Sequence, residues 1–206
     1  EGVAIVDIFD IMELVDILLS DDNESCGSEI ADMNSDGNQN VVDIIFLVQM
    51  LLGGDFESLT SYDPGLFEID NNGIDTKISI SNDSKIGGFQ FTTSLGEVSE
   101  NDLSSLNLPT GWVVEYVVNN QNINVLIFDI SGQNSVETLE LNFSSVSSNS
   151  FQNIVLANGN AQQIEYNIME KATEQIDISP EDYQLYSLYP NPFNPSLNIS
   201  FSISTP

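Results

Sequence analysis

Between residues 76 and 168, seven short segments alternate apolar and polar side chains: TKISISN (76–82), GGFQFTT (87–93), WVVEYVV (112–118), INVLIFDI (123–130), VETLELNF (136–143), QNIVLAN (152–158) and QQIEYNI (162–168). A period of two places the apolar residues on one face of an extended strand, and Gly-, Asn- and Ser-rich turns separate the segments. That many short strands at this spacing predict an antiparallel β sandwich. A chain of 206 residues, 41% of them hydrophobic, has enough apolar surface to close such a core.

Upstream the pattern changes. DMNSDGNQNVVD (32–43) carries Asp32, Asn34 and Asp36 at positions 1, 3 and 5, Gly37 at 6, Asn38 at 7, Asn40 at 9 and Asp43 at 12. This is the spacing of a calcium loop. Ca2+ takes six to eight hard oxygens at ~2.3–2.6 Å, and a glycine lets the backbone turn around the ion. Asn38 would offer its backbone carbonyl, Asn40 a direct or water-mediated contact, and Asp43 would close the site. The alternative is an Asn/Asp/Gly-rich surface turn. Behind the loop, DIIFLVQMLLG (43–53) has helical apolar spacing and ends in glycine. DIMELVDILLS (10–20) repeats it at a constant offset of 33 residues, a duplicated loop–helix unit whose apolar stripes bury against each other. Of the first loop only Asp7 and Asp10 match ligand positions, since Val3 and Ala4 stand where Asp and Gly are expected.

These residues resemble a dockerin module over 1–54. The resemblance implies a secreted, non-catalytic plug for a cohesin-type partner, although Val41 and Val42 replace the hydroxyl pair often used in recognition. The strand order over 64–170 resembles cohesin and related carbohydrate-binding sandwiches. YPNPFNP (189–195), with the alternating strand LNISFSIS (197–204), resembles the start of a C-terminal sorting domain of type IX (Por) secretion. That match implies export to the cell surface or medium. The expected organisation is an α+β multidomain chain: a helical loop–helix calcium module at 1–54, a linker at 55–63, an antiparallel β sandwich at 64–170, a second linker at 171–185, and an isolated sorting or donor strand within 186–206. No signal-peptide pattern opens the chain, which reads as a mature protein or a fragment.

Composition restricts function. Lys77, Lys85 and Lys171 are the only basic side chains against 32 acids, there is no Arg or His, and the formal net charge is −29. Phosphate contacts need Lys or Arg, so nucleic acid is not an expected partner. No run approaches the ~18 apolar residues of a transmembrane helix. Without His, the commonest general base is missing, and an enzyme is not expected. Cys26, the lone cysteine, has no basic neighbour to activate it. Phe89, Phe91, Trp112, Tyr116 and Phe128 would be a sugar platform if exposed together, but their alternation favours core. Asp70, Asn72 and Asp75 are spaced too closely for a full cation loop, and a plain turn is the preferred reading. The functional expectation is a secreted, calcium-binding assembly protein that joins copies of itself, head to tail, or a cohesin/dockerin-type partner into a filament or surface scaffold. The alternative is a carbohydrate-binding or docking accessory region of a larger secreted hydrolase.

Overall fold

The structure is a computed structural model, and it describes residues 6–20, 28–54, 63–71, 75–144, 150–171, 184–185 and 201–202. Residues 1–171 form one compact unit and Ala172–Pro206 another.

The first unit is organised by one strand. After β1 (Gly65–Asn71), β2 (Asp75–Ser94) runs for 20 residues and takes part in two layers. Its first half pairs with β1 on one side and β5 (Val136–Ser144) on the other. The register breaks between Ser81 and Ile86, where Lys85 adopts a φ of 61°. Beyond the break, β2 pairs with β4 (Asn122–Asp129) and β6 (Gln152–Asn158), with β3 (Trp112–Asn119) outside β4 and β7 (Gln163–Ile164) outside β6. A bulge of this kind lets a strand turn a corner and serve two sheets. The antiparallel sandwich expected from the sequence is present. It carries one parallel pairing that was not expected, between β1 and β8 (Tyr166–Lys171). Segments 76–82 and 87–93, read as separate strands, are the two halves of β2.

Alternation fills the space between the layers. Phe67 and Ile69 of β1, Ile78, Ile80, Phe89 and Phe91 of β2, Ile123, Val125 and Ile127 of β4, and Leu139, Leu141 and Phe143 of β5 share one core. Phe89 stacks on Phe91 with centroids 5.0 Å apart, and Phe151 meets Phe91 edge-on at 5.2 Å. The short helix α4 (Glu100–Ser104) is tied to β5 by Asp102, whose Oδ1 accepts from Ser144 N and Oγ at 3.0 and 2.7 Å.

A third layer covers the outer face of the β4–β2–β6 sheet. Helix α1 (Ile8–Leu19) and helix α3 (Val41–Leu51), with the short α2 (Ser28–Ala31) between them in sequence, enclose a second core with Leu126, Phe128, Ala157 and Ala161. The helices and the sandwich, expected as separate domains, therefore lie in the same compact unit. The physical reason is that α3 is apolar on two sides: Ile44, Leu47 and Val48 repeat the α1 stripe, while Val41, Val42 and Ile45 are buried as well. Gly88 permits the close approach, since a Cβ there would lie 2.6 Å from Val41 Cγ2. Gln49 fastens the other end of α3, its Nε2 donating to the carbonyls of Gly132 and Gly159 at 3.0 and 2.9 Å.

In the second unit, β10 (Phe201–Ser202) pairs antiparallel with β9 (Gln184–Leu185). Phe201 and Ser202, expected in an isolated strand, thus have partners in a segment assigned to the linker, and the rest of 186–206 lies outside the described residues. The proline run at 189–195, Cys26, Val3, Ala4, Asn72 and most of the 55–63 linker lie outside the described residues.

Candidate cation loop

The loop at 32–43 is built from its helix backwards. Asn40 is the N-cap of α3, in extended conformation, and its Oδ1 accepts from Val42 N at 2.8 Å. Asp43, at the third helical position, returns the contact by accepting from Asn40 N through Oδ2 at 2.9 Å. This reciprocal pair is a capping box. Asp43 Oδ1 also accepts from Met33 N at 2.8 Å and Asn34 N at 3.3 Å. One fully buried carboxylate therefore holds the first and last turns of the loop together. Burial pushes the Asp43 carboxyl above its ordinary range. The N–H groups of Asn40, Asn34 and Met33 oppose that rise, and the nearby charge of Asp36 adds to it.

The opposite arc faces solvent. Asp36 N donates to both Asp32 Oδ1 at 3.0 Å and Asn34 Oδ1 at 2.9 Å, so two side-chain oxygens converge on one amide. Asp32 Oδ2 accepts from Gly37 N at 3.0 Å, and Asp36 Oδ1 from Asn38 N at 2.7 Å. Ser35 and Gly37 have φ of 61° and 86°, and these two left-handed residues let the chain curl around its own carboxylates. The donors are hard oxygens, as Ca2+ requires, and they are open to water. Two carboxylates and one amide supply this arc. Among the described residues no group of three or more His, Cys, Asp or Glu side chains gathers as a metal cluster, so a bound ion would also draw on amide, carbonyl and water oxygens.

The remaining candidates divide by role. Asn40 and Asp43 are engaged in the capping box, and the Asn38 amide donates to Asp36 at 3.1 Å. Asp7 and Asp10 repeat the box at α1: Phe9 N donates to Asp7 Oδ1 at 2.8 Å and Asp7 N to Asp10 Oδ2 at 2.6 Å. Asp70 lies in β1 and Asp75 opens β2, and residues 72–74 lie outside the described residues. Phe89, Phe91, Phe128 and Trp112 are buried. Tyr116 is partly exposed and its Oη donates to Glu100 at 3.3 Å.

No protein-family model matches the chain, and no curated protein matches it. Among solved structures, a non-cellulosomal cohesin from the hyperthermophilic archaeon Archaeoglobus fulgidus is similar at TM-score 0.34 and 14% identity, over 55% of this chain and 95% of that one. The chitin-binding domain of a hyperthermophilic chitinase from Pyrococcus furiosus is similar at TM-score 0.26 and 14% identity, over 52% of this chain and 98% of that one. At these scores the likenesses bear on neither ligand nor partner, and the fold rests on the layers described above. Sequence reasoning missed Gln90, whose Oε1 accepts from Val41 N at 2.9 Å and links β2 to the start of α3. Its only signal was a polar residue on the outward face of a strand.

Proposed function

We infer that this chain is a secreted, non-catalytic structural module that takes Ca2+ at its 32–43 loop and serves to dock or join proteins outside the cell. One observation carries the ion: Asp32 and Asn34 aim oxygens at a single amide in a water-exposed loop whose base is fixed by buried Asp43. When bound, Ca2+ supplies a dipositive centre to which these oxygens turn. Asp32, Asn34 and Asp36 would hold it, with the Asn38 carbonyl beside them, while Asp43 keeps the arc anchored to α3. Because α3 packs on the sheet, ordering the loop stabilises the helical layer on the sandwich. A chain with 32 acids and three lysines also gains from any bound dication through relief of self-repulsion. The YPNPFNP run supports export, and the absence of His and Arg supports a non-catalytic role.

The test is calcium titration of chelator-treated protein by calorimetry, with thermal melts alongside. Binding at the extracellular scale of ~10⁻⁴–10⁻³ M is expected. Saturation to about 100 times the dissociation constant should add ~2.7 kcal/mol of stability. The double substitution Asp32→Asn and Asp36→Asn should abolish the response while the fold remains. Absence of both heat and melting shift at ~10 mM calcium would sink the ion reading. Light scattering in the same titration tests assembly. Growth reversed by chelator is expected, and a monodisperse monomer throughout would remove the assembly role while leaving the ion untouched.

A further inference from the structure

The outer face of the β4–β2–β6 sheet changes character along its length. At one end Phe128, Leu126 and Ala157 lie under α1 and α3. Past Gln90 the same face continues as Thr92 and Ser94 on β2, Asn124 and Asn122 on β4, and Asn153 on β6, with Thr92 opposite Asn124 and Ser94 opposite Asn122. Helix α1 stops at this change, its C-cap at Ser20. A hollow of about 280 Å3 is left there, with Leu18, Leu19 and Ser20 on one wall and Gln90, Thr92, Asn124 and Asn153 on the other. A second hollow of about 210 Å3 shares Thr92 and continues past Thr93, Ser94 and Asn122.

The chemistry of this trough sets it apart from the rest of the molecule. Among the described residues no charged side chain lines the first hollow, and Glu97 is the one acid lining the second, in a chain with 32 acids. Its amides are each fixed at one end and open at the other. Thr92 Oγ1 donates to Asn124 Oδ1 at 3.0 Å, and Asn153 Nδ2 donates to Thr92 Oγ1 at 3.4 Å. Gln90 is held through Oε1 by Val41 N. That leaves Asn124 Nδ2 and Gln90 Nε2 as donors and Asn153 Oδ1 as an acceptor, without partners among the described residues. On the same face the Nδ2 of Asn119, opposite Asn122, is buried with no hydrogen-bond partner; Thr93 Oγ1 is unpaired too, but it belongs to the inner face with Phe91 and Ile123. Buried polar atoms without partners are uncommon and point to a missing donor or acceptor. Leu18 and Leu19 add apolar surface along one wall.

The geometry points to a neutral oligosaccharide as the ligand of this trough, one sugar unit in the Gln90–Asn124 hollow and the next toward Ser94 and Asn122. Uncharged hydroxyl groups, each both donor and acceptor, match pre-oriented amide donors and acceptors set side by side. The pyranose C–H face meets the leucine wall. An anionic chain is repelled by a protein of net charge −29, and a cation finds no carboxylate among the described residues of the first hollow. The site uses hydrogen bonds rather than ring stacking, since the aromatics of the sandwich are spent in its core. None of its lining residues belongs to the 32–43 loop, and the bond from Val41 N to Gln90 Oε1 links the two sites.

The probe is a pair of neutral linear hexasaccharides, one of glucose and one of N-acetylglucosamine, titrated into the isotopically labelled full chain and followed by backbone amide resonances. Polygalacturonate serves as the charged comparator. Binding at about the millimolar level is expected, as suits a few neutral hydrogen bonds. Shifts should be confined to 90–94, 122–126 and 152–154. Asn124→Leu should weaken it about tenfold, and the exposed Asn153→Ala, which disturbs little else, should weaken it severalfold. Shifts elsewhere, equal response to polygalacturonate, undiminished binding by Asn153→Ala, or no response to either sugar at about 10 mM would each overturn the assignment.

Discussion

The two loop–helix repeats carry the same local instructions and end in different surroundings. At offset 33, Asp7 and Asp10 cap α1 as Asn40 and Asp43 cap α3, with matching hydrogen bonds. The inward stripes also correspond, Ile11, Leu14 and Val15 against Ile44, Leu47 and Val48, all buried. The second faces do not. Ile8, Phe9 and Met12 are 48%, 76% and 43% exposed, whereas their counterparts Val41, Val42 and Ile45 are at most 1% exposed. Capping is decided within four residues of chain, so both copies keep it. Burial of a second face depends on what tertiary structure brings alongside: the Val41–Val42–Ile45 face of α3 is enclosed, and the matching Ile8–Phe9–Met12 face of α1 is exposed.

The largest expected effect tests that asymmetry. Ile45→Ala should cost ~2–5 kcal/mol, the range for truncating a buried aliphatic side chain, while Met12→Ala should stay within ~0.5 kcal/mol. Denaturant melts of the two variants give the comparison directly. Equal losses would mean that α1 is as enclosed as α3. The caps come next. Asp43→Ala removes the acceptor of three N–H groups, from Met33, Asn34 and Asn40, and should cost about 3 kcal/mol. Asp10→Ala removes one exposed contact and should cost about 1 kcal/mol or less. Similar melting midpoints for the two would show that the 32–43 loop does not depend on its buried anchor.

How much of this was legible follows from the same distinction between local and tertiary causes. The alternation at 112–118, 123–130 and 136–143 located β3, β4 and β5 because each strand needs only its own period. The stripe spacing located α1 and α3 for the same reason. The fusion of 76–82 and 87–93 into β2 was not legible: Asn82, Asp83 and Ser84 read as a turn, yet the strand continues through them while its pairing with β5 skips from Ser81 to Ile86. β1 was passed over because Glu68 and Asp70 on its outer side, with the Asn-Gly that follows, look like loop. The docking of α3 left a trace that was available: Val41, Val42 and Ile45 give that helix more apolar circumference than one stripe requires. At the candidate loop, spacing named the residues, but it did not distinguish Asp32, Asn34 and Asp36, open to solvent, from Asn40 and Asp43, committed to the cap. The amide trough had no sequence signal, since Gln90, Thr92, Asn124 and Asn153 come together only through strand register.

A third capping-box aspartate extends the comparison to pH. Asp102 occupies the same helical position in α4 that Asp10 and Asp43 occupy in theirs. Burial alone would raise its carboxyl, as it does for Asp43, but Ser144 and Ser99 each donate through hydroxyl and backbone N–H, and these four bonds bring it down to about 2. The lowered value means that the folded state favours the carboxylate. Its contribution is therefore present above the unfolded value of 3.8 and is lost as pH falls through about 2. The shift corresponds to about 2 kcal/mol near neutral pH. Asp43 has the opposite sign: its raised carboxyl favours folding at low pH, and that contribution is lost as pH rises through its folded value. Asp102→Asn should accordingly destabilise the protein by about 2 kcal/mol at pH ~7, with the gap to the parent closing as the medium is taken from pH ~4 toward ~2. Stability curves for both proteins across that range measure it. A gap independent of pH would mean that the Ser99 and Ser144 bonds serve the neutral acid as well as the carboxylate, and that α4 is held to β5 by shape rather than by charge.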